Sequence, residues 1–182
     1  MNNNSIHLVA FEALKDNAAL KAEYLTWLND ARVITSINSY ELLQKKDLSF
    51  IEESFQRFAS TTCKGYFIYV KQDQKYIGTV KLDKIDTFKK SAEVGIMIGD
   101  VNYYGKGFGY KSLELLLKYA FLDLELHRIW GGTDEHNISM IRIFEKLNFI
   151  KEGIFREANF INNEYSDNIL YSILSHEYFL KR

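Results

Sequence analysis

Apolar residues along this chain recur at two periods, and the changes from one to the other mark its elements. Ile6 to Phe11 is a short apolar run that predicts a first strand, preceded by residues 1–4, which are expected to fray. Asn17 to Asn29 predicts a helix, with Leu20, Tyr24, Leu25 and Leu28 on one face. Asp30 to Tyr40 is polar and broken, and reads as loop. Lys46 to Phe58 returns to helical spacing through Phe50, Ile51, Phe55 and Phe58, with Asp47 or Ser49 as its cap.

The period then falls to two. Gly65 to Lys71 and Tyr76 to Leu82 are rich in aromatic and β-branched residues and flank the polar turn Asp73-Gln74-Lys75, which predicts a hairpin. Ser91 to Ile98 is a third strand of this series. From Gly107 to Leu124 the helical period returns at its strongest: Leu113, Leu116, Leu117, Ala120, Phe121 and Leu124 make one continuous stripe. Arg128 to Thr133 reads as strand and Ile138 to Leu147 as a short helix. Phe149 to Phe160 and Asn168 to Leu174 close the chain as two strands around Asn162-Asn163-Glu164. No linker divides these elements, so residues 1–182 are expected to form one domain. The order predicts an α+β fold, a mixed sheet covered by helices.

One junction carries chemistry. The strand ending Ile96-Met97-Ile98 runs into Gly105, Gly107 and Gly109, and the long helix starts at once. A strand, a glycine turn and a helix N-terminus gather unpaired backbone N–H groups at the positive end of a helix dipole, which attracts phosphate. Two familiar phosphate motifs fit poorly. A dinucleotide fingerprint needs Gly-x-Gly-x-x-Gly, and here the third spacing fails. A P-loop needs four residues between its glycines and a hydroxyl after the lysine; five residues separate Gly99 from Gly105, and Gly107 follows Lys106.

Composition narrows the function further. Apolar residues are 47% and aromatic residues 15% of the chain, which argues for a packed core. A net charge of −1 argues against a protein built to grip nucleic acid. One cysteine, Cys63, gives neither a disulfide framework nor a cysteine zinc cluster, and His7, His127, His136 and His176 lack metal-ligand spacing, so no metal is expected. No apolar run approaches the roughly 20 residues of a membrane span, and no secretory signal is visible, so a cytoplasmic location is expected.

The turn Tyr104-Gly105-Lys106-Gly107-Phe108-Gly109 resembles the acyl-CoA signature of the GNAT superfamily of N-acetyltransferases, Gln/Arg-x-x-Gly-x-Gly/Ala, except that Tyr104 stands at the first position. Asn137-Ile138-Ser139-Met140-Ile141-Arg142-Ile143-Phe144-Glu145-Lys146-Leu147-Asn148-Phe149, continuing to Glu152-Gly153, is similar to a second conserved segment of that superfamily. Ala92-Glu93-Val94-Gly95-Ile96 resembles the strand before its glycine turn, and Trp27-Leu28-Asn29-Asp30 resembles one branch. That branch holds the ribosomal-protein N-terminal, spermidine and amino-sugar acetyltransferases. The likeness covers residues 65–174 well and the first third loosely.

The resemblance implies a three-layer α/β/α fold whose mixed, mostly antiparallel sheet is splayed between its two parallel strands. Acetyl-CoA would be the co-substrate, lying in that opening. Ile96, Met97 and Ile98 would pair with the pantetheine arm, and Tyr104, Gly105, Lys106, Gly107, Phe108, Gly109 and Tyr110 would surround the pyrophosphate. Lys106 reads equally well as a solvated surface lysine. Asn137 would contact the pantetheine, a role compatible with capping the helix that follows. Glu93 would be the base that takes a proton from the amine. The usual tyrosine and serine acids are replaced by Phe144 and Met140, leaving Ser139, Tyr103, Tyr104, Tyr165 or water to protonate the thiolate. The acceptor, a small or peptidic amine, would be chosen by residues 27–40 and 156–167, which include Arg32, Arg156, Glu157, Glu164 and Asp167. Dimers are common in the branch. The alternative is a CoA-binding sensor of the same fold that has lost catalysis.

Overall fold

The computed structural model describes residues 5–37, 44–161 and 163–180. Its strands are β1 (Ile6–Ala10), β2 (Lys64–Val70), β3 (Lys75–Asp86), β4 (Ser91–Ile98), β5 (Arg128–Asp134), β6 (Ile150–Ile161) and β7 (Glu164–Leu174). Its helices are α1 (Ala18–Leu28), α2 (Ala31–Ile37), α3 (Leu48–Phe58), α4 (Phe108–Leu122), α5 (Ile138–Lys146) and α6 (Ser175–Leu180), with 3₁₀ turns at Phe11–Leu14 and Val101–Tyr103. The strands form one sheet in the order β1-β2-β3-β4-β5-β7-β6. Among the described residues, β4 and β5 pair in parallel and every other pairing is antiparallel.

Each face of the sheet is closed by helices. Leu113, Leu116, Leu117 and Ala120 of α4 are fully buried against Ile68, Ile77, Leu82 and Ile129. This is the stripe expected from the sequence; Leu124 lies just past the helix end and packs on the same core. The opposite face carries an aromatic cluster in which Phe11 stacks on Phe67 at 4.2 Å and meets Phe55 of α3 at 4.8 Å. Trp27 of α1 sits against Gly99, where any side chain would collide with the indole. The end of β4 is thereby seated directly on α1.

Side-chain caps fix the starts of α1 and α3. The Asn17 side chain accepts the Leu20 N–H, and that of Asp47 accepts the Phe50 N–H, which selects Asp47 over Ser49 as the cap of α3. One expectation fails clearly. Residues 31–37, read as loop, form α2. The reason is tertiary: Val33 is completely buried, and Asp30 starts the helix by accepting the N–H of Arg32 on its side chain and that of Val33 on its carbonyl. Packing overrides a polar, β-branched sequence with weak helix preference. Residues 38–40 of that span, and the expected fraying of 1–4, lie outside the described residues. Smaller differences follow the same logic: Phe11 turns into a 3₁₀ helix and β3 extends to Asp86. In addition, β7 begins at Glu164 rather than Asn168, and Ser175–Leu180 adds a final helix.

Candidate active site

The parallel ladder between β4 and β5 is short. It joins Ser91 to Arg128, Ala92 to Ile129 and Glu93 to Trp130, and then stops. Beyond it β4 follows β3 as far as Ile98, while β5 follows β7 as far as Asp134. The two strands are therefore drawn apart by their outer neighbours. At the closed end, the ring tip of the fully buried Phe144 fills the space beside Gly131 and Val94. The split leaves β4 with an unpaired edge, the kind of edge that accepts an extended ligand as an added strand.

A cavity of about 300 Å³ opens along this edge. Its walls include Ile96, Met97 and Ile98 from β4; Tyr104, Gly105, Gly107, Phe108, Gly109 and Tyr110 from the turn and α4; and Asn137, Ser139 and Met140 from α5. The sequence-derived cofactor residues thus converge on one space, apart from Lys106, whose Nζ lies over the Tyr103 ring at 5.2 Å. Gly105 and Gly107 have φ of +71° and +82°, and nothing lies within 4 Å of where a side chain would start. Gly107 caps α4 with no side-chain hydrogen bond, so the first N–H groups of the helix face this open space. The turn is a ready cradle for a diphosphate.

Polar contacts hold the cradle in place. Lys75 Nζ donates to Asp100 at 2.7 Å, and the Asp100 carboxylate accepts the Asn102 N–H at 3.0 Å. Burial pushes the Asp100 carboxyl up, but Lys75 and Asn102 outweigh it and hold it below the usual carboxylate range. Tyr103 Oη donates to Asp73 at 2.6 Å, which pushes its phenol up to about 12 and commits it to the β2–β3 turn. Tyr103 also lines the cavity, with its hydroxyl hydrogen turned to Asp73.

Several lining residues escaped sequence reasoning. Arg142 and Lys146 bring two cations to the wall; their signal was their own four-residue spacing, which puts the pair along one side of α5. Ser36 and Ile37 fall in residues 27–40, expected to choose the acceptor, and their place on this cavity was missed because α2 was read as loop. Asn137 caps α5 by accepting the Met140 N–H at 3.1 Å and also faces the cavity, so its two readings are compatible.

Glu93 does not line the cavity. It stands at the closed end of the split, five residues or about 16 Å up β4 from Ile98. Its carboxylate is 2.7 Å from Lys84, whose ammonium lies over the Trp130 ring at 5.3 Å.

A second hollow, also of about 300 Å³, adjoins the first and shares Ser36 and Asn137 with it. Thr35, His136, Ile161, Glu164, Tyr165 and Ser166 complete its lining. Of the acidic residues expected to meet an acceptor, Glu164 reaches it. Asp167 instead accepts the Glu157 N–H, and Arg32 is held by Asp30 at 2.6 Å.

Comparison with known proteins agrees with this geometry. The acetyltransferase (GNAT) domain family matches residues 7–150. An uncharacterized N-acetyltransferase, p20, of Bacillus licheniformis is 30% identical over 136 residues, 72% of this chain and 76% of that protein. The spermidine N(1)-acetyltransferase of Vibrio cholerae is 30% identical over 128 residues, 70% of this chain and 73% of its own length. A crystal structure of the Vibrio cholerae spermidine N-acetyltransferase in complex with CoA and spermine superposes with a TM-score of 0.84 at 25% identity, covering 97% of this chain and 99% of that one. The chain belongs to the GNAT acetyltransferases, and it is an N-acetyltransferase that takes acetyl-CoA as co-substrate and an amine as acceptor.

Proposed function

We propose that this enzyme acetylates a primary amine of a small polycation by direct attack on the thioester. The observation that carries the reading is the early end of the β4–β5 ladder, with a cavity running from the split to the uncapped start of α4. Acetyl-CoA lies there with its pantetheine along Ile96–Ile98 and its pyrophosphate on residues 105–110. Arg142 and Lys146 meet the remaining phosphate charge. The thioester lies where the cavity meets the adjoining hollow, beside Ser36 and Asn137, and Glu93, which stands outside the cavity, receives a proton from the attacking nitrogen through water. Phe144 cannot donate a proton; a CoA thiolate leaves well enough that no dedicated acid is assigned.

The acceptor occupies the adjoining hollow, where Glu164 offers a carboxylate to a distal ammonium. The spermidine acetyltransferases among the relatives support this choice over a peptide N-terminus or an amino sugar. We also infer a homo-oligomer: one Vibrio cholerae relative is described as dodecameric, and Ile154, Phe155 and Phe160 of β6 present exposed apolar surface to a second copy. A cytoplasmic location is part of the same reading; no described helix is long and apolar enough to cross a membrane.

The test is thiol release from acetyl-CoA with spermidine, spermine, sugar-nucleotide amines and peptides starting in Ala or Ser. Turnover is expected with the polyamines. Turnover confined to peptides or amino sugars would move the acceptor assignment, and CoA binding without turnover on any amine would favour a sensor.

A further inference from the structure

The second hollow contains a feature that acetyl-CoA binding does not require. Asp134, at the end of β5, is a carboxylate with only 1% of its side chain exposed. Four groups donate to it: Ser166 Oγ, Asn159 Nδ2 at 2.8 Å, the His136 backbone N–H at 2.9 Å and His136 Nδ1 at 3.0 Å. A carboxylate only accepts, so the hydrogen it shares with the ring is on Nδ1. Nε2, on the far edge of the ring, keeps its lone pair. The ring itself is 70% exposed and lines the acceptor hollow. A buried, fully engaged carboxylate behind a solvent-facing imidazole is the arrangement that orients a histidine base and fixes its tautomer.

We propose that the His136–Asp134 pair takes the first proton from the incoming ammonium. This rests on the reading of the chain as an amine acetyltransferase. The acceptor must lose two protons from nitrogen. As the ammonium enters the hollow, one N–H bond breaks and its proton passes to His136 Nε2, directly or through one water, leaving a neutral amine. The imidazolium is held by Asp134 and returns the proton to solvent from its exposed edge. The neutral amine then forms the C–N bond as the C–S bond breaks. The second proton leaves the nitrogen through water toward Glu93, outside the cavity, and a proton returns to the thiolate. The sum is one amide, one CoA thiol and one proton released.

Among the described residues, the charged and titratable groups around His136 are Asp134 behind it and Glu164 and Tyr165 across the hollow on β7. Neighbouring Glu135 is occupied by the Asp167 N–H at 2.8 Å, and α2 contributes only Thr35 and Ser36.

The test compares wild type, His136→Gln and Glu93→Gln as full chains, with spermidine and with methoxyamine, which is already neutral at assay pH. With spermidine near pH 7, His136→Gln is expected to lower kcat/KM by about 10²-fold, the gap shrinking to a few-fold near pH 9.5 as neutral amine accumulates. With methoxyamine the variant keeps near-wild-type rates, while Glu93→Gln loses activity on both acceptors. Acetyl-CoA affinity, read by calorimetry, stays unchanged in His136→Gln. A gap that is absent near pH 7, that is constant across the pH range or that is equal for both amines overturns the proposal and leaves the acetyltransferase assignment standing. A wild type inactive on every amine removes both.

Discussion

Tyr104 Oη and Ser36 Oγ lie 3.1 Å apart, a hydrogen bond that joins the glycine turn to α2. Ser36 lines both hollows and Tyr104 lines the one along β4, so this contact stands where the two meet. Tyr104→Phe removes it without changing the ring. A single partly exposed hydrogen bond contributes about 0.5–1.5 kcal/mol, so acetyl-CoA affinity is expected to fall by about 2- to 10-fold with little loss of thermal stability. Calorimetric titration of the variant checks this.

Gly107 is the position where the cradle is most sensitive. Its φ of +82° suits glycine, and the open space beside it is where the diphosphate is proposed to sit. Gly107→Val adds strain of about 1–3 kcal/mol and puts two methyl groups toward the ligand. The variant is expected to fold, with a lowered melting temperature, and to lose acetyl-CoA binding. A folded variant with wild-type affinity would place the diphosphate elsewhere.

The site was legible in the sequence where chemistry is encoded locally. Three glycines, a following apolar stripe and Asn137 ahead of a helix carry their roles in residue type and spacing: the stripe packs on the sheet, and the glycines and Asn137 come to one cavity. What was not legible depends on contacts distant in sequence. Helix α2 forms because Val33 is buried by other elements, so Ser36 was legible only as part of a broad acceptor span and not as a wall of the cofactor cavity. The His136–Asp134 pair looked like one scattered histidine because Asn159 and Ser166, two of the donors engaging Asp134, come from the closing hairpin. The separation of Glu93 from the cavity likewise follows from where the β4–β5 ladder ends.

Glu93→Gln tests the base at the closed end. Removing a proton acceptor from a positioned amine is expected to lower kcat by about 10²- to 10⁴-fold while acetyl-CoA affinity stays unchanged. Steady-state rates with calorimetry beside them separate the two effects. A kcat within a few-fold of wild type would leave the carboxylate only its ion pair with Lys84.

Asp100 links the turn to acid stability. Its carboxyl is held below the usual range in the folded chain, so its contribution is complete above the ordinary carboxylate pKa and is lost as pH falls through the depressed value. The urea midpoint is expected to fall between about pH 5 and pH 3, and to fall less steeply in Asp100→Asn, which starts lower at neutral pH. Parallel profiles for the two proteins would show that other carboxylates govern the acid limb.

The central claim is that acetyl-CoA lies in the split between β4 and β5 with its diphosphate on the start of α4. A crystal structure with CoA tests it most directly. The account predicts pyrophosphate oxygens accepting backbone N–H groups between Gly105 and Tyr110, and a pantetheine arm along Ile96–Ile98. A diphosphate bound anywhere else, with this cradle filled by solvent or side chains, would contradict it.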